Sequence, residues 1–306
     1  NEGVESACFI YPTKSESSSL AHSRTGMSSA LPHAPPPIHP QSVAAKPHAL
    51  LHALPLHSNL SFQIKEKILC LELLNIDSFK ALSQNPSLQQ ATLSSVRHVI
   101  SFLHSKGLAQ SDLPRIVGMC PQTLTSSIKN DLGPVFEFLS KDLNVADAHF
   151  RKVINKCPRL LVSSADNQLK PCLFYLQRLG FRDLDALAFN DSVLLVSNVE
   201  NTLIPKLRFL ESIGFSRDDA VGMVLRCPGL FTFSIENNFK PKFEFYLEMG
   251  RNMDELRDFP QYFAFSLEKR IKARHLQAVN SGLLLPLSVM LKSTDCEFKN
   301  LLLKPT

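Results

Sequence analysis

The chain has 306 residues, 33 Lys and Arg against 28 Asp and Glu for a net charge of +5, 44% hydrophobic residues, 20 Pro, 11 Gly and no Trp. That length allows one long domain or two short ones with a substantial core. No apolar run reaches the roughly 18 to 20 residues of a membrane span, the best, Gly282 to Leu291, being broken by Pro286, and seven scattered cysteines without a C-x-x-C pair disfavour zinc and a disulfide framework and point to a reducing compartment.

Residues 17–65 contain no Asp or Glu, are rich in Ser, Ala and Pro, and carry six of the ten histidines. A segment with no apolar period of 2 or 3.6 cannot bury enough surface to offset its ordering entropy. Residues 1–65 are therefore expected to be a disordered leader of the organelle transit type, acid-poor and hydroxylated and without the apolar core of a secretory signal. Only Arg24 precedes Arg97, which favours a plastid address over a mitochondrial one. The His-rich stretch from Pro32 to His57 is too irregular in spacing for a metal site, and Met27 is a candidate start.

Residues 66–306 repeat. Pro86, Pro121, Pro158, Ser192, Pro228 and Pro260 recur in matching contexts at separations of 35, 37, 34, 36 and 32 residues, the period of stacked supersecondary units. Ahead of these positions run the stripes Leu113/Ile116/Val117/Cys120, Phe150/Val153/Ile154/Cys157, Leu184/Leu187/Ala188/Asp191 and Ala220/Met223/Val224/Cys227. Spacing of i, i+3, i+4, i+7 predicts one buried helical face, stopped by the proline that follows, with Ser111 and Ser216 at N-cap positions. Cys120, Cys157 and Cys227 then read as small core residues.

The second stripe of each unit, Leu169/Leu173/Leu176, Leu203/Leu207/Leu210 and Phe239/Phe243/Tyr246, ends at Gly180, Gly214 or Gly250, a helix stop. Prolines at 134, 171, 205 and 241 fall early in these stripes, in the first helical turn or at a kink. Each unit thus reads as helix, Pro-directed turn, helix, stacking into an all-α solenoid with one continuous core. Asp191-Ser192 replaces Cys-Pro in the middle unit, predicting either a first helix that ends early with Asp191 capping the next segment, or a break in curvature at residues 189–193.

The phrases Lys156-Cys-Pro-Arg-Leu-Leu-Val, Arg226-Cys-Pro-Gly-Leu-Phe-Thr, Leu169-Lys-Pro with Leu179-Gly-Phe, and Leu203-Ile-Pro with Ile213-Gly-Phe resemble the repeat of the mitochondrial transcription termination factor family, especially its plant organelle members. The closing stretch, Lys269-Arg-Ile-Lys-Ala-Arg-His, then Leu284-Leu-Pro-Leu and Ser293-Thr-Asp-Cys-Glu-Phe, is similar to the terminal region of those proteins. The resemblance implies a right-handed superhelix whose motifs each hold two α-helices and a short 3₁₀ turn, with a basic concave surface for nucleic acid. It also implies work in organelle gene expression: transcription termination, pausing or regulation, or RNA tasks such as intron splicing and ribosome assembly.

Phosphate contact calls for Lys and Arg. The candidates are Lys269, Arg270, Lys272 and Arg274 in the densest basic run, Arg151, Lys152 and Lys156 beside the Phe150 stripe, and Arg226, Lys170, Lys206, Lys240 and Lys242, several of which recur beside equivalent prolines and are expected to form a ladder. No G-x-G-x-x-G, Walker loop, H-E-x-x-H or G-x-S-x-G occurs, and the acid pairs Asp183/Asp185 and Asp218/Asp219 sit where carboxylates complement a helix start. The expectation is a monomeric binding protein rather than an enzyme, without cofactor, metal or membrane partner. It would take double-stranded DNA or structured RNA, and organellar transcription or RNA-processing proteins. The rival is a protein-interaction scaffold; a one-base-per-repeat RNA reader fits poorly with the variable spacing and recurrent Cys-Pro.

Overall fold

Every regular element among the described residues, 61–303, is helical in this computed structural model. The expected leader, the His-rich stretch and Met27 fall outside the described residues, apart from the leader's last five positions. The chain enters through α1 (Phe62–Leu73), α2 (Ser78–Gln84), the single turn α3 (Ser87–Gln90) and α4 (Leu93–Ser105). Then come α5 (Leu113–Met119) with α6 (Gly133–Glu137), α7 (Phe150–Lys156) with α8 (Lys170–Leu179), and α9 (Leu184–Phe189) with the short α10 (Ser192–Leu195) and α11 (Ile204–Ser212). The pairs α12 (Arg217–Arg226) with α13 (Lys240–Glu248), and α14 (Met253–Asp258) with α15 (Ala273–Asn280), are followed by α16 (Leu287–Lys292) and α17 (Asp295–Leu303). α1 therefore starts ahead of Glu66.

The expected stripes are the buried faces. Leu113, Ile116 and Val117, Phe150, Val153 and Ile154, Leu187 and Ala188, and Ala220, Met223 and Val224 are all buried, as are Leu169, Leu173, Leu176, Leu203, Leu207, Leu210, Phe239 and Tyr246. They join a core that runs through the stack from Leu71 to Phe298. Phenylalanine edges tie units together: Phe239 meets Phe209, Phe233 and Phe263 at centroid distances of 5.4, 6.2 and 4.8 Å, contacts that add to area burial. Cys120 and Cys157 are buried, and desolvation pushes both thiols up, which keeps them neutral.

After each Cys-Pro the chain makes one 3₁₀ turn, at Pro121–Thr125, Pro158–Val162 and Pro228–Thr232, with Pro260–Ala264 following Phe259. The second helices then open on a wide turn. The amides of Leu132, Leu169, Leu203, Phe239 and Ile271 donate to the carbonyls five residues back, on Ser127, Ser164, Asn198, Ser234 and Ser266, at 3.0 to 3.2 Å. The side chains of those same five residues cap the amides of Asn130, Asn167, Asn201, Asn237 and Lys269 at 2.6 to 3.2 Å. The prolines at 134, 171, 205 and 241 stand seven residues after these caps, so the wide turn precedes them and they fall, as expected, in the first turn of the α-helical segment. The i→i+5 turn moves aside the carbonyl a proline ring would strike in a regular helix, and the α-helical part begins one residue before the proline in each case.

The helix stops are as expected at Gly180, Gly214 and Gly250, where φ is +110°, +109° and +64°. At Gly180 the space is also short, since a Cβ would lie 3.1 Å from Leu225 Cδ1. Ser216 caps Asp219 N at 3.1 Å and Asp183 caps Ala186 N at 2.8 Å, but Ser111 lies within a turn, Gln110–Asp112, that precedes α5.

In the middle unit α9 ends at Phe189, short of its counterparts, and the Asp191 carboxylate makes no cap. Burial pushes that carboxyl above its ordinary value, with Lys156 opposing. A raised folded pKa means the penalty is absent below the unfolded value and fully present above the folded one. Asp191→Cys is accordingly expected to stabilise the protein at neutral pH by about 1 kcal/mol, with the gain in Tm shrinking in acid; no gain at pH 7 would contradict this account.

Candidate nucleic-acid interface

The first helices stack in sequence along one edge of each unit, and their charge is uneven. Residues 147–163 carry Arg151, Lys152, Lys156 and Arg159 against Asp147. The equivalent segment of the next unit, 182–197, has Arg182 against Asp183, Asp185 and Asp191, and residues 251–265 have Arg251 and Arg257 against Asp254, Glu255 and Asp258. α7 is thus the one strongly basic first helix among those described.

Because Phe150, Val153 and Ile154 face the core, Arg151, Lys152 and Lys156 are forced outward, and all three are exposed. Lys152 Nζ lies 5.0 Å from the Phe189 ring centroid. Arg151 grips Asp112 with two bonds, Nε to Oδ2 at 2.7 Å and Nη2 to Oδ1 at 3.1 Å, which holds the Asp112 carboxyl below its usual range. Arg159, exposed between buried Pro158 and Leu160, and Arg115, whose guanidinium donates to the Asn155 carbonyl, bring two further cations to this helix. Neither stood out from the sequence, although Arg159 belongs to the repeat phrase and its place after the turn proline was a usable signal.

The expected ladder beside the prolines divides by direction. Lys170, Lys240 and Lys272 point out, but each pairs with the acid one turn earlier: Asp166 at 2.6 Å, Glu236 at 2.7 Å and Glu268 at 2.6 Å. The ridge they form is zwitterionic rather than basic. Lys206 and Lys242 turn inward. Lys206 Nζ donates to the Phe231 carbonyl, and Lys242, 6% exposed, donates to the Phe263 carbonyl at 2.6 Å.

In the closing basic run Arg274 is 4% exposed; Nη1 donates to the carbonyls of Met290 and Ser293 at 2.8 and 2.7 Å, and Nη2 meets Asp295 Oδ1 at 2.5 Å. Arg270 donates to Leu291 and Ser293 carbonyls at 2.9 and 2.7 Å. Lys269 alone of that run is fully exposed. Arg226 is exposed yet donates to the Arg257 carbonyl at 2.7 Å.

The inward cations share one register. Lys206, Lys242 and Arg274 each stand fourteen residues after the first residue of their unit's turn, at 192, 228 and 260; Lys206 and Lys242 each reach a backbone carbonyl of the following turn, and Arg274 reaches those of Met290 and Ser293 at the end of α16. Cys172 holds this position after Pro158 and approaches the Leu194 carbonyl at 3.1 Å; Val135 and Ile100 hold it after Pro121 and Pro86 as buried apolar residues. Lys67 does the same ahead of them, donating to Leu88, Gln89 and Ala91 carbonyls at 2.9, 2.5 and 2.8 Å. A 3₁₀ turn leaves carbonyls without intrahelical donors, and a buried cation satisfies them.

Comparison with known proteins agrees with this architecture. The mTERF family model matches residues 41–191 and 190–299. "Transcription termination factor MTERF5, chloroplastic" of Arabidopsis thaliana is 37% identical over 87 residues, 28% of this chain and 18% of that protein. "Transcription termination factor MTERF4, chloroplastic" of Zea mays is 32% identical over 77 residues, 25% of this chain and 15% of that protein. "Transcription termination factor MTERF2, chloroplastic" of Arabidopsis thaliana is 35% identical over 78 residues, 25% of this chain and 12% of that protein. The aligned stretches thus span less than a fifth of each relative. With two family matches covering most of the chain, on helical pairs whose prolines, caps and glycine stops repeat in register, this chain belongs to the mTERF family.

Proposed function

We propose that the chain is a chloroplast nucleic-acid-binding factor that regulates organelle transcription, holding the phosphate backbone of double-stranded DNA or structured RNA against the outward face of α7. The observation that carries this reading is that Arg151, Lys152, Lys156 and Arg159 are all exposed on and just after one helix of an mTERF-family fold. Related proteins are named as chloroplast transcription termination factors, which supports the compartment and the process. The mechanism is positional: a bound solenoid obstructs, pauses or recruits the transcription machinery.

Lys152, Lys156 and Arg159 supply sequence-independent affinity through counterion release, while the acidic segments at 182–197 and 251–265 disfavour extension of the polyanion along that edge. Of the twelve sequence-derived candidates, Lys152, Lys156 and Lys269 offer unpaired charge at the surface, Arg151 offers a half-exposed guanidinium anchored by Asp112, and Lys242 and Arg274 are withdrawn from solvent.

The test is titration of the full chain with duplex DNA, structured RNA and single-stranded RNA of unrelated sequence at several salt concentrations. Binding is expected to fall steeply with salt, and changing Lys152, Lys156 and Arg159 together to Ala is expected to reduce the log–log salt slope by about 3. Binding unchanged in the triple variant would overturn the assignment of this surface, and binding absent for all three polymers would favour a protein-scaffold role.

A further inference from the structure

Arg151 is held differently from the other cations of α7. Its Nε and Nη2 donate to Oδ2 and Oδ1 of Asp112, and among the described residues it is the one arginine gripped by both oxygens of a single carboxylate. Asp112 is fixed in its turn: it is buried, and its Oδ2 also accepts the Ala109 amide at 2.8 Å. The guanidinium thus spends its side fork, Nε with Nη2, on the protein. Its end fork, Nη1 with the second hydrogen of Nη2, meets no acceptor among the described residues, and 51% of the side chain is open to solvent.

Charge and geometry decide what that end fork takes. Asp112 offsets the arginine's charge at close range, so Arg151 releases few counterions and gains little from a phosphate, which would also feel the carboxylate. A planar pair of donors whose direction is locked suits a planar, uncharged pair of acceptors. In a nucleic acid that pair is O6 and N7 of guanine, open in the major groove of B-DNA and on unpaired guanines of RNA. Locking the side chain before binding also removes part of the ordering cost of making the contact. The cations of α7 divide in the same sense around the helix. Lys152 and Lys156, four residues apart, share a face, whereas Arg151 stands about 100° round from Lys152, on the side of the Gln110–Asp112 turn that leads into α5.

We infer that Arg151 is the base-reading residue of the α7 surface, taking the O6 and N7 edge of a guanine, and that Asp112 is the positioning residue that aims it. The inference rests on the reading of α7 as a nucleic-acid surface, where Lys152, Lys156 and Arg159 set affinity; the Asp112–Arg151 pair sets which sequence is held.

The full chain is tested against a pool of duplex DNA and a pool of RNA hairpins, each with a randomised centre, by sequencing the bound fraction. Wild type is expected to enrich a guanine at one position of the bound motif by at least about fivefold, and 7-deazaguanine at that position, which lacks the N7 acceptor, should weaken binding to a similar degree. Arg151→Lys should erase the preference and leave the salt slope unchanged, because an ammonium keeps the charge and has no fork. Asp112→Asn should also erase it, and should steepen the salt slope by up to about 1, because the released guanidinium then neutralises a phosphate. A carboxylate that only stapled α5 to α7 would lower Tm on removal and move neither quantity. The triple Ala variant of Lys152, Lys156 and Arg159 should lose salt slope and keep the guanine preference. A preference that survives Arg151→Lys and Asp112→Asn, or a wild type that binds through the three cations with no guanine preference, would overturn the inference while the reading of α7 stands. Absence of binding to both pools would overturn the two together.

Discussion

Arg274→Ala is expected to lower the unfolding free energy by about 2 to 4 kcal/mol, from a buried carbonyl left without its charged donor and from the cavity that opens. The guanidinium is nearly inaccessible and serves the carbonyls of Met290 and Ser293 and the carboxylate of Asp295, with the Phe298 ring 4.7 Å away. Removing it takes the side-chain donor from the Met290 carbonyl, leaves Ser293 O to Arg270 alone, and opens a cavity between α15 and the final helices. For a folded region of this size the loss corresponds to a fall in Tm of roughly 10 °C. Arg270→Ala is expected to cost less, because Arg270 is only half-buried, and the pair should be non-additive, because both arginines donate to Ser293 O. Lys269→Ala, one residue from Arg270 but solvent-exposed, serves as the control and should leave Tm within about 1 °C. Equal small effects at all three positions, read by thermal denaturation, would show that the run is a solvated charge cluster after all.

Lys242→Met should change the pH dependence of stability more than its value at pH 7. Burial pushes the Lys242 ammonium down to about 8. Its donor bonds end on the Phe263 carbonyl at 2.6 Å and, with the Asn238 amide oriented to satisfy its neighbours, on the Asn238 oxygen at 2.9 Å. The unfolded chain still binds the proton near its ordinary value of 10.5, so between about pH 8 and pH 10 the unfolded state holds more protons than the folded one. This lysine's contribution to stability therefore rises with pH across that window, by at most about 3 kcal/mol, against the buried thiols of Cys120, Cys157 and Cys172, whose raised values work in the opposite sense from about pH 9. Below pH 8 both states are protonated and the burial penalty is fully present. The buried Tyr246 hydroxyl, pushed up to about 12, works in the opposite sense above pH 10. Lys242→Met should remove this lysine's share of the rise and leave that of Lys206 and Lys67, which burial also lowers, whereas Lys242→Ala should also lose about 2 to 3 kcal/mol at every pH through the cavity and the unpaired carbonyl. A difference in Tm between wild type and Lys242→Met that does not grow in favour of the wild type from pH 8 to 10 would refute this account.

The fold was legible because its punctuation is local. Proline at 121, 158, 228 and 260, glycine at 180, 214 and 250, and apolar residues at helical spacing each act within a turn or two of their own position, so periodicity carried them. The direction of the basic residues was not legible in the same way. A lysine after a helix proline reads identically whether its four-carbon stem points to water, as at Lys170, or inward, as at Lys242; the outcome depends on a carbonyl some twenty residues away that lacks a donor. The constant step of fourteen residues from turn to inward residue was the missed signal, and it becomes meaningful only once the turn is known to leave carbonyls unpaired. The acids at 166, 236 and 268 were likewise visible, but weighing cations alone hid their neutralising effect. The wide first turn was readable in principle from the seven-residue step between Ser164 and Pro171, repeated at Ser127, Asn198 and Ser234.

The residue that follows each turn by fourteen also sets how the array yields under load. From Ile100 through Val135 to Cys172 the link to the next unit is made by apolar side chains or a thiol, whose contacts tolerate sliding; from Lys206 onward it is made by cations whose hydrogen bonds fix distance and angle. Lys67 braces the first link in the same way, so the links without a cation are confined to the stretch between it and Lys206.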